Sequence, residues 1–88
     1  MSAPRSDMVC RVVARVTGRM PREVEFVQDA DPRNGWLVRV WLDDSSLRDY
    51  RLNAVPDAPD GTRDELVEDR FERWPPADIR GRIQRCRC

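Results

Sequence analysis

The chain has 88 residues, of which 40% are hydrophobic and 36% are charged, and it carries 16 cationic and 16 anionic side chains. This length and composition are typical of one globular domain with a heavily charged surface. A net charge near zero gives no overall attraction to nucleic acids or anionic membranes, so we expect neither membrane association nor direct nucleic-acid binding.

All 16 cations are arginine, and the chain has no lysine and no histidine. The absence of lysine is typical of a GC-rich genome, bacterial or phage, because recognition by selected arginines would not remove lysine from every position. It also means that the chain has no imidazole base, no Schiff-base lysine and no P-loop. A glycine-rich phosphate loop and a Gly-x-Ser-x-Gly motif are missing too. We therefore expect a protein that is not an enzyme and holds no cofactor.

The first predicted element is a helix. Residues 1–6 predict a short disordered lead without a signal peptide. Ser6 or Asp7 is the expected N-cap, Gly18 the expected C-terminal cap, and Pro21 prevents continuation. The apolar face consists of Met8, Val9, Val12, Val13 and Val16.

Three strands of an antiparallel meander follow, over residues 23–28, 36–42 and 47–55. Residues 29–35 hold the turn signals Asp-Pro and Asn-Gly, and residues 43–46 form a short polar connection. In the second strand, alternation places Trp36, Val38, Val40 and Leu42 on one face and Leu37, Arg39 and Trp41 on the other.

Residues 56–61 predict a rigid loop, after which Thr62 and Glu65 form a capping box for a second helix. Its apolar face consists of Leu66, Val67, Phe71 and Trp74. Pro75 and Pro76 end it, and a short turn then brings Ile79 and Ile83 to the core. The predicted fold is α+β, with an N-terminal helix, a three-stranded antiparallel meander and a C-terminal helix plus terminal turn. Residues 7–84 form the single domain, with both helices on one face, and residues 85–88 form a basic, cysteine-containing tail.

The predicted core combines both helices and the three strands. It consists of Val9, Val13, Val16, Val24, Phe26, Val38, Val40, Leu52, Val67 and Phe71.

Cys10, Cys86 and Cys88 are too few for a zinc site without histidine, so no metal is expected. An odd number of cysteines does not predict a disulfide framework, and it fits a reducing compartment. Cys10 is expected to be a buried apolar residue, and Cys86 and Cys88 to lie in an exposed tail. The expected location is the cytoplasm.

Two surfaces could bind a partner. Strand alternation places Trp41 outward beside Arg39, with Arg51 on the neighbouring strand, and a tryptophan framed by arginines is typical of a binding hot spot. In a different arrangement the sheet is covered on both faces, and Trp41 lies in a second small core under the C-terminal tail. A register shift of one residue would exchange Trp41 with Trp36 and make this surface part of the core. The alternative is the acidic face of the second helix, which consists of Asp64, Glu65, Glu68, Asp69 and Glu72.

One resemblance covers about 50 residues. Residues 13–24, which include Thr17-Gly18-Arg19, and residues 35–40, which read Gly-Trp-Leu-Val-Arg-Val, resemble the gas vesicle accessory proteins of the O type. Tyr50, Leu52, Asp60 and Gly61 are similar to a later part of that family's pattern. The resemblance implies a non-enzymatic assembly factor that contacts other vesicle proteins.

The sequence thus predicts a small accessory or regulatory protein that binds another protein, with a gas vesicle assembly factor as one identity. The alternative is a phage- or mobile-element-encoded inhibitor of a host nucleic-acid-processing machine, of the anti-CRISPR kind, whose acidic helix imitates phosphate. A homodimer is compatible with either.

Overall fold

The computed structural model describes residues 5–31, 35–43, 45–53 and 65–88. Within them the chain forms one helix and five strands: α1 (Ser6–Thr17), β1 (Glu23–Gln28), β2 (Trp36–Trp41), β3 (Leu47–Asn53), β4 (Glu65–Asp69) and β5 (Gln84–Arg87). The strands form a single antiparallel sheet in the order β4-β3-β2-β1-β5. β4 and β5 are therefore the two edges of the sheet.

Neither end of helix α1 is capped by a side chain of its cap residue. Arg5 is the N-cap and makes no capping hydrogen bond through its side chain, so the expected cap at Ser6 or Asp7 is wrong. Gly18 ends the helix as predicted, with a φ of 74° that favours glycine, and its N–H donates to the carbonyl of Ala14. In the part of the chain that the structure describes, no helix is long and apolar enough to span a membrane.

One face of the sheet, called here the first face, packs against α1 and forms the main hydrophobic core. Alternation brings one side chain in two from each central strand to this face. The core consists of Val9, Cys10, Val12, Val13, Val24, Phe26, Trp36, Val38, Val40, Leu42, Tyr50 and Leu52. Trp36 therefore lies on the core side, and Trp41 lies on the opposite face, as the unshifted register predicts.

The opposite face, called here the second face, lies under residues 70–83, which contain no helix or named strand. The backbone N–H of Phe71 donates to Asp49 at 3.0 Å, and Ile79 forms an isolated bridge with Asp29 at the end of β1. This segment therefore crosses the second face on its way from β4 to β5. Val27 and Leu37 are buried on the same side.

The predicted second helix is wrong. Residues Glu65–Asp69 form β4, which pairs with β3 over five residues, while Thr62 and Asp64 lie outside the described residues. A capping box contributes only about 1 kcal/mol. Pairing with β3 provides backbone hydrogen bonds along the strand and also places Asp69 3.3 Å from Arg51. These long-range interactions outweigh the local helix signal.

The predicted fold class is wrong for the same reason. The three predicted strands are the middle of a five-stranded sheet, and the segment expected to hold a terminal turn and a tail contains β5. Loop residues 56–61 and the end of the predicted third strand, residues 54–55, lie outside the described residues. The helices expected on one face reduce to α1 in the described part of the chain.

Three residues of the predicted core lie elsewhere. Val16, near the end of α1, and Val67, on edge strand β4, are each 48% exposed. Phe71 is half-buried on the second face, where its ring centroid lies 5.6 Å from that of Trp74. Val67 and Phe71 were assigned to the apolar face of the second helix, but residues 65–74 form β4 and an irregular segment instead.

A disulfide joins Cys10 to Cys88, with the two Cα atoms 5.7 Å apart. Cys88 is exposed as expected, but the expectation that it lies outside a disulfide is wrong. The reason is the formation of β5, which places the last residue beside α1. Cys86 is not in a disulfide, and it packs against the core from β5.

Candidate protein-binding surface

A row of four side chains crosses the second face at one end of the sheet. Leu47 on β3 lies opposite Trp41 on β2, Trp41 lies opposite Glu23 on β1, and Glu23 lies opposite Arg87 on β5. Because directly opposed residues share a face, these side chains form a continuous row across four strands. We call it the end row.

The end row has an apolar half and a charged half. Leu47 is 51% exposed and Trp41 is partly exposed, so an apolar surface remains accessible to a partner. On the charged half, the Glu23 carboxylate forms an ion pair with the Arg85 guanidinium, with an N–O distance of 3.0 Å. Arg22, Glu23 and Arg87 line a shallow depression of about 160 Å³. The row can therefore bind an apolar group and an anionic group side by side.

The short β2–β3 connection holds the apolar half in place. The N–H of Leu42 donates to the carbonyl of Ser46, and the N–H of Ser45 donates to the carbonyl of Leu42, each at 3.0 Å. Leu42 itself is buried in the core. Trp41 and Leu47 thus sit next to a tight, anchored turn, and little conformational entropy is lost when a partner orders them.

Arg39 lies in the row next to the end row, where it is held by internal contacts. It donates to both carboxylate oxygens of Asp49, at 2.8 and 3.2 Å, and to the carbonyl of Phe71 at 3.3 Å. Its guanidinium carbon lies 5.2 Å from the ring centroid of Trp74, a cation–π arrangement. The Arg39 side chain is only 17% exposed, so it serves to attach residues 70–83 to the sheet.

Arg51 is likewise held within the second face. It donates to Asp29 at 2.8 Å and to Asp69 at 3.3 Å. The hydrogen bond to Asp29 raises the pKa of Arg51 further, against the effect of burial. Burial opposes ionisation of Asp29, but hydrogen bonds from Arg51 and from the Asp31 N–H, with the charge of Arg51, lower its pKa overall. This cluster joins β3 and β4 to Asp29, the residue that follows β1.

The predicted Trp41 surface is thus divided in the structure. Trp41, Arg39 and Arg51 share the second face, as strand alternation predicted. Trp41 lies at its end, next to the exposed Leu47, while the two arginines contact carboxylates of the same chain. The exposed neighbours of Trp41 are therefore different from those that the sequence indicated.

The acidic residues of the alternative surface do not share one helical face. Glu68 lies on the first face and Asp69 on the second, because they are consecutive on a strand. Asp69 is paired with Arg51, and Glu72 is exposed in the segment after β4. Asp64 lies outside the described residues, and Glu65 is the first residue of β4. An acidic helix is therefore not present in the described part of the chain.

A larger groove of about 330 Å³ lies on the first face, between the end of α1 and strands β3 and β4. Leu42, Tyr50 and Leu66 provide apolar surface, while Arg48 and Glu68 provide opposite charges. Burial raises the pKa of Tyr50, so its hydroxyl stays protonated at neutral pH. Across the residues that the structure describes, no group of three potential metal ligands is present.

The sequence matches no family model, and no curated protein and no solved structure gives a significant match to it.

Sequence reasoning did not single out Leu47, Glu23 or Arg87. A signal for Leu47 was available, because a short connection over residues 43–46 brings it opposite Trp41. Glu23 was predictable in the same way, because the antiparallel meander brings it opposite Trp41. Arg87 could not, because the short strand Gln84–Arg87 has no hydrophobic alternation and is defined only by its pairing with β1.

Proposed function

We propose that this protein is a non-catalytic accessory protein that binds another protein through the end row. The observation that carries the proposal is the pairing of Trp41 with Leu47, an apolar residue that is half exposed on a surface otherwise rich in charge. Tryptophan beside an exposed aliphatic residue, with charged neighbours at the rim, is typical of an interface centre. Arg39 and Arg51 have a structural role in this proposal, because their ion pairs with Asp49, Asp29 and Asp69 join segments of the same chain.

The expected partner segment is apolar at one end and acidic at the other. An apolar side chain would contact Trp41 and Leu47, and a carboxylate would face Arg22 and Arg87 beside the shallow depression. Both arginines are exposed, so the charged contact contributes to the association rate and to specificity more than to affinity. Binding should therefore weaken with salt, but only in part.

The resemblance to gas vesicle accessory proteins of the O type supports an assembly role in the cytoplasm as the setting. Disulfides in cytoplasmic proteins are usually transient or redox-sensing, so this setting implies that the Cys10–Cys88 bond opens and closes there. Co-purification with vesicle proteins after joint expression is the direct check. If the chain fails to bind any of them, the vesicle role is lost and the end row remains to be tested separately.

The test of the end row compares substitutions at two residues of closely similar exposure, Leu47 at 51% and Val67 at 48%. Leu47→Asp and Val67→Asp each place a carboxylate at a half-exposed apolar site on the second face, and they lie on different strands, Leu47 in the end row and Val67 outside it. We expect wild type and Val67→Asp to capture the same proteins from a lysate of the source organism. Leu47→Asp should not capture them. Isothermal titration with the identified partner should then show at least a thirtyfold weaker Kd, which corresponds to about 2 kcal/mol.

Circular dichroism and thermal melts establish that both variants are folded. Trp41→Ala, which removes the ring without adding charge, should give the same loss of binding. If the Leu47→Asp and Trp41→Ala variants both retain the partner with wild-type Kd, the end row is not the binding surface.

A further inference from the structure

All three cysteines meet at one corner of the molecule. Cys10, on α1, is 6% exposed and is bonded to Cys88. Cys86 is a half-buried residue of β5 that packs against the core cluster to which Cys10 belongs. Its thiol is outside any disulfide and donates to the carbonyl of Arg87 at 3.3 Å. A free thiol and a disulfide therefore share one small region.

Cys86 and Cys88 are equivalent in their orientation. They are two residues apart on an extended segment, so both point to the first face, at a separation of about 7 Å. A shift of β5 along β1 by two residues would bring Cys86 to the place of Cys88 without turning any side chain to the other face. β5 is an edge strand that pairs only with β1, over four residues, so such a shift leaves the pairing among β1, β2, β3 and β4 unchanged. Residues 80–83, between the Ile79 bridge and β5, would have to take up the displacement.

The ion pairs of β5 fit either position. In the observed register Arg85 lies opposite Glu25, yet its guanidinium also contacts Glu23, at 3.0 Å, in addition to Glu25 at 3.4 Å. After a two-residue shift Arg85 would lie opposite Glu23 and keep that ion pair. The shift also takes Arg85 away from the position opposite the buried Glu25, so that contact would have to be made diagonally, as the contact with Glu23 is in the observed register.

We propose that Cys10, Cys86 and Cys88 form a thiol–disulfide exchange site in which Cys86 replaces Cys88 as the partner of Cys10. The Cys86 thiolate, after losing its proton to solvent, attacks the sulfur of Cys10. The Cys86–Cys10 bond forms, the Cys10–Cys88 bond breaks, and Cys88 leaves as a thiolate that takes a proton from solvent. The step is neutral in redox terms, since one disulfide and one thiol are present before and after it.

The burial of the cysteines sets the direction of attack. Attack on Cys88 would release Cys10 as a thiolate within the core, where its charge is poorly solvated. Attack on Cys10 instead releases Cys88, which is exposed to solvent. The product presents an accessible thiol that an external disulfide, such as oxidised glutathione, can modify by mixed-disulfide formation. This activity does not depend on the end row binding a partner.

Trypsin mapping of the oxidised full-length chain tests the proposal directly, because arginine flanks each cysteine. Cleavage places Cys10 in residues 6–11, Cys86 in residues 86–87 and Cys88 alone. After incubation at pH 8, acid quenching and alkylation, mass spectrometry distinguishes the two linked peptides by the mass of one arginine. We expect the Cys10–Cys86 peptide to reach between about 0.1% and 10% of the linked Cys10, the range of a minor state a few kcal/mol above the main one. Its rate of appearance should rise from pH 6 to pH 8, because the thiolate is the attacking form.

Two variants sharpen the result. Cys86→Ser should give only the Cys10–Cys88 peptide, and Cys88→Ser should form the Cys10–Cys86 bond on oxidation. A wild-type sample that contains only Cys10–Cys88 after prolonged incubation overturns the proposal, whether or not the variants fold. A Cys86–Cys88 bond with free Cys10 as the main product would also contradict it, since the direction of attack would then be reversed.

Discussion

The two faces of the sheet are held by different interactions. On the first face, α1 packs valines against an apolar surface that includes Phe26 and Val38. On the second face, residues 70–83 are attached through Arg39 and Asp49, and Arg51 joins three strands through carboxylates. On the first face α1 is thus held by apolar packing and by the Cys10–Cys88 disulfide, whereas the irregular segment on the second face is held by hydrogen bonds and ion pairs.

This difference affects how each face contributes to stability. Apolar burial contributes in proportion to area and tolerates changes of similar volume. Partly buried ion pairs contribute little net free energy over an apolar replacement, but losing one partner leaves a charge with poor solvation. The first face should therefore determine how stable the protein is. The second face should determine whether residues 70–83 take one conformation.

The largest expected effect comes from the first face. Phe26 is fully buried and meets Trp36 edge-to-face, with ring centroids 6.0 Å apart. Phe26→Ala should lower the free energy of unfolding by about 3–5 kcal/mol through loss of burial and a residual cavity. Urea denaturation measures the change, with Val67→Ala as the exposed control. Equal changes in the two variants would show that the main core is not on this face.

A smaller effect is expected from the ionic centre of the second face. Arg39→Ala leaves Asp49, whose side chain is only 12% exposed, without its guanidinium partner. We expect Arg39→Ala to lower the free energy of unfolding by about 2–3 kcal/mol. The decrease should be smaller in Arg39→Lys, which keeps the positive charge but not the paired hydrogen bonds. Arg48→Ala, an exposed arginine that makes no ion pair with any described residue, should change the free energy of unfolding by under about 0.5 kcal/mol.

Hydrogen exchange separates the two faces further. In Arg39→Ala, the amide of Phe71 should exchange faster while amides in α1 stay protected, because only the second face is loosened. Uniform loss of protection would mean that the two faces unfold as one unit and that the comparison between them does not hold.

The smallest effect concerns acid stability. The pKa of Asp29 is below its ordinary value of 3.8 in the folded chain, so its ionised form stabilises the fold above that pH. The contribution is lost as the pH falls through the folded pKa, in the region below about pH 4. Asp29→Asn should therefore be less stable than wild type at pH 6 and approach it at low pH. Thermal melts from pH 6 to pH 2 test this. Glu72→Gln is the exposed control, and its difference in melting temperature from wild type should stay the same over this pH range.

The sequence predicted what local patterns determine. The valine spacing located α1, Gly18 marked its end, and alternation in β2 placed Trp36 on the core and Trp41 opposite. The elements that it missed depend on residues far apart in the chain. β4 and β5 are strands because they pair with β3 and β1, and neither has the alternation that identifies a strand alone.

The candidate surface shows the same difference between features set by local pattern and features set by long-range pairing. Trp41 was predictable from its own strand, but its exposed neighbours were not, because Arg87 reaches the end row only through β5. The roles of Arg39 and Arg51 were also not predictable. Their partners Asp49, Asp29 and Asp69 are among 16 carboxylates, and nothing in the sequence selects them.

The Cys10–Cys88 bond also affects how the protein responds to proteases. The two cysteines are 78 positions apart, so nearly the whole chain is enclosed in one covalent ring. A single cut of the backbone inside that ring opens it without releasing a fragment. Nicked molecules would therefore migrate as one species on a gel without reductant and separate into two only when reductant is added. A digest resolved under both conditions thus distinguishes intact chains from chains that were cut once and remained joined.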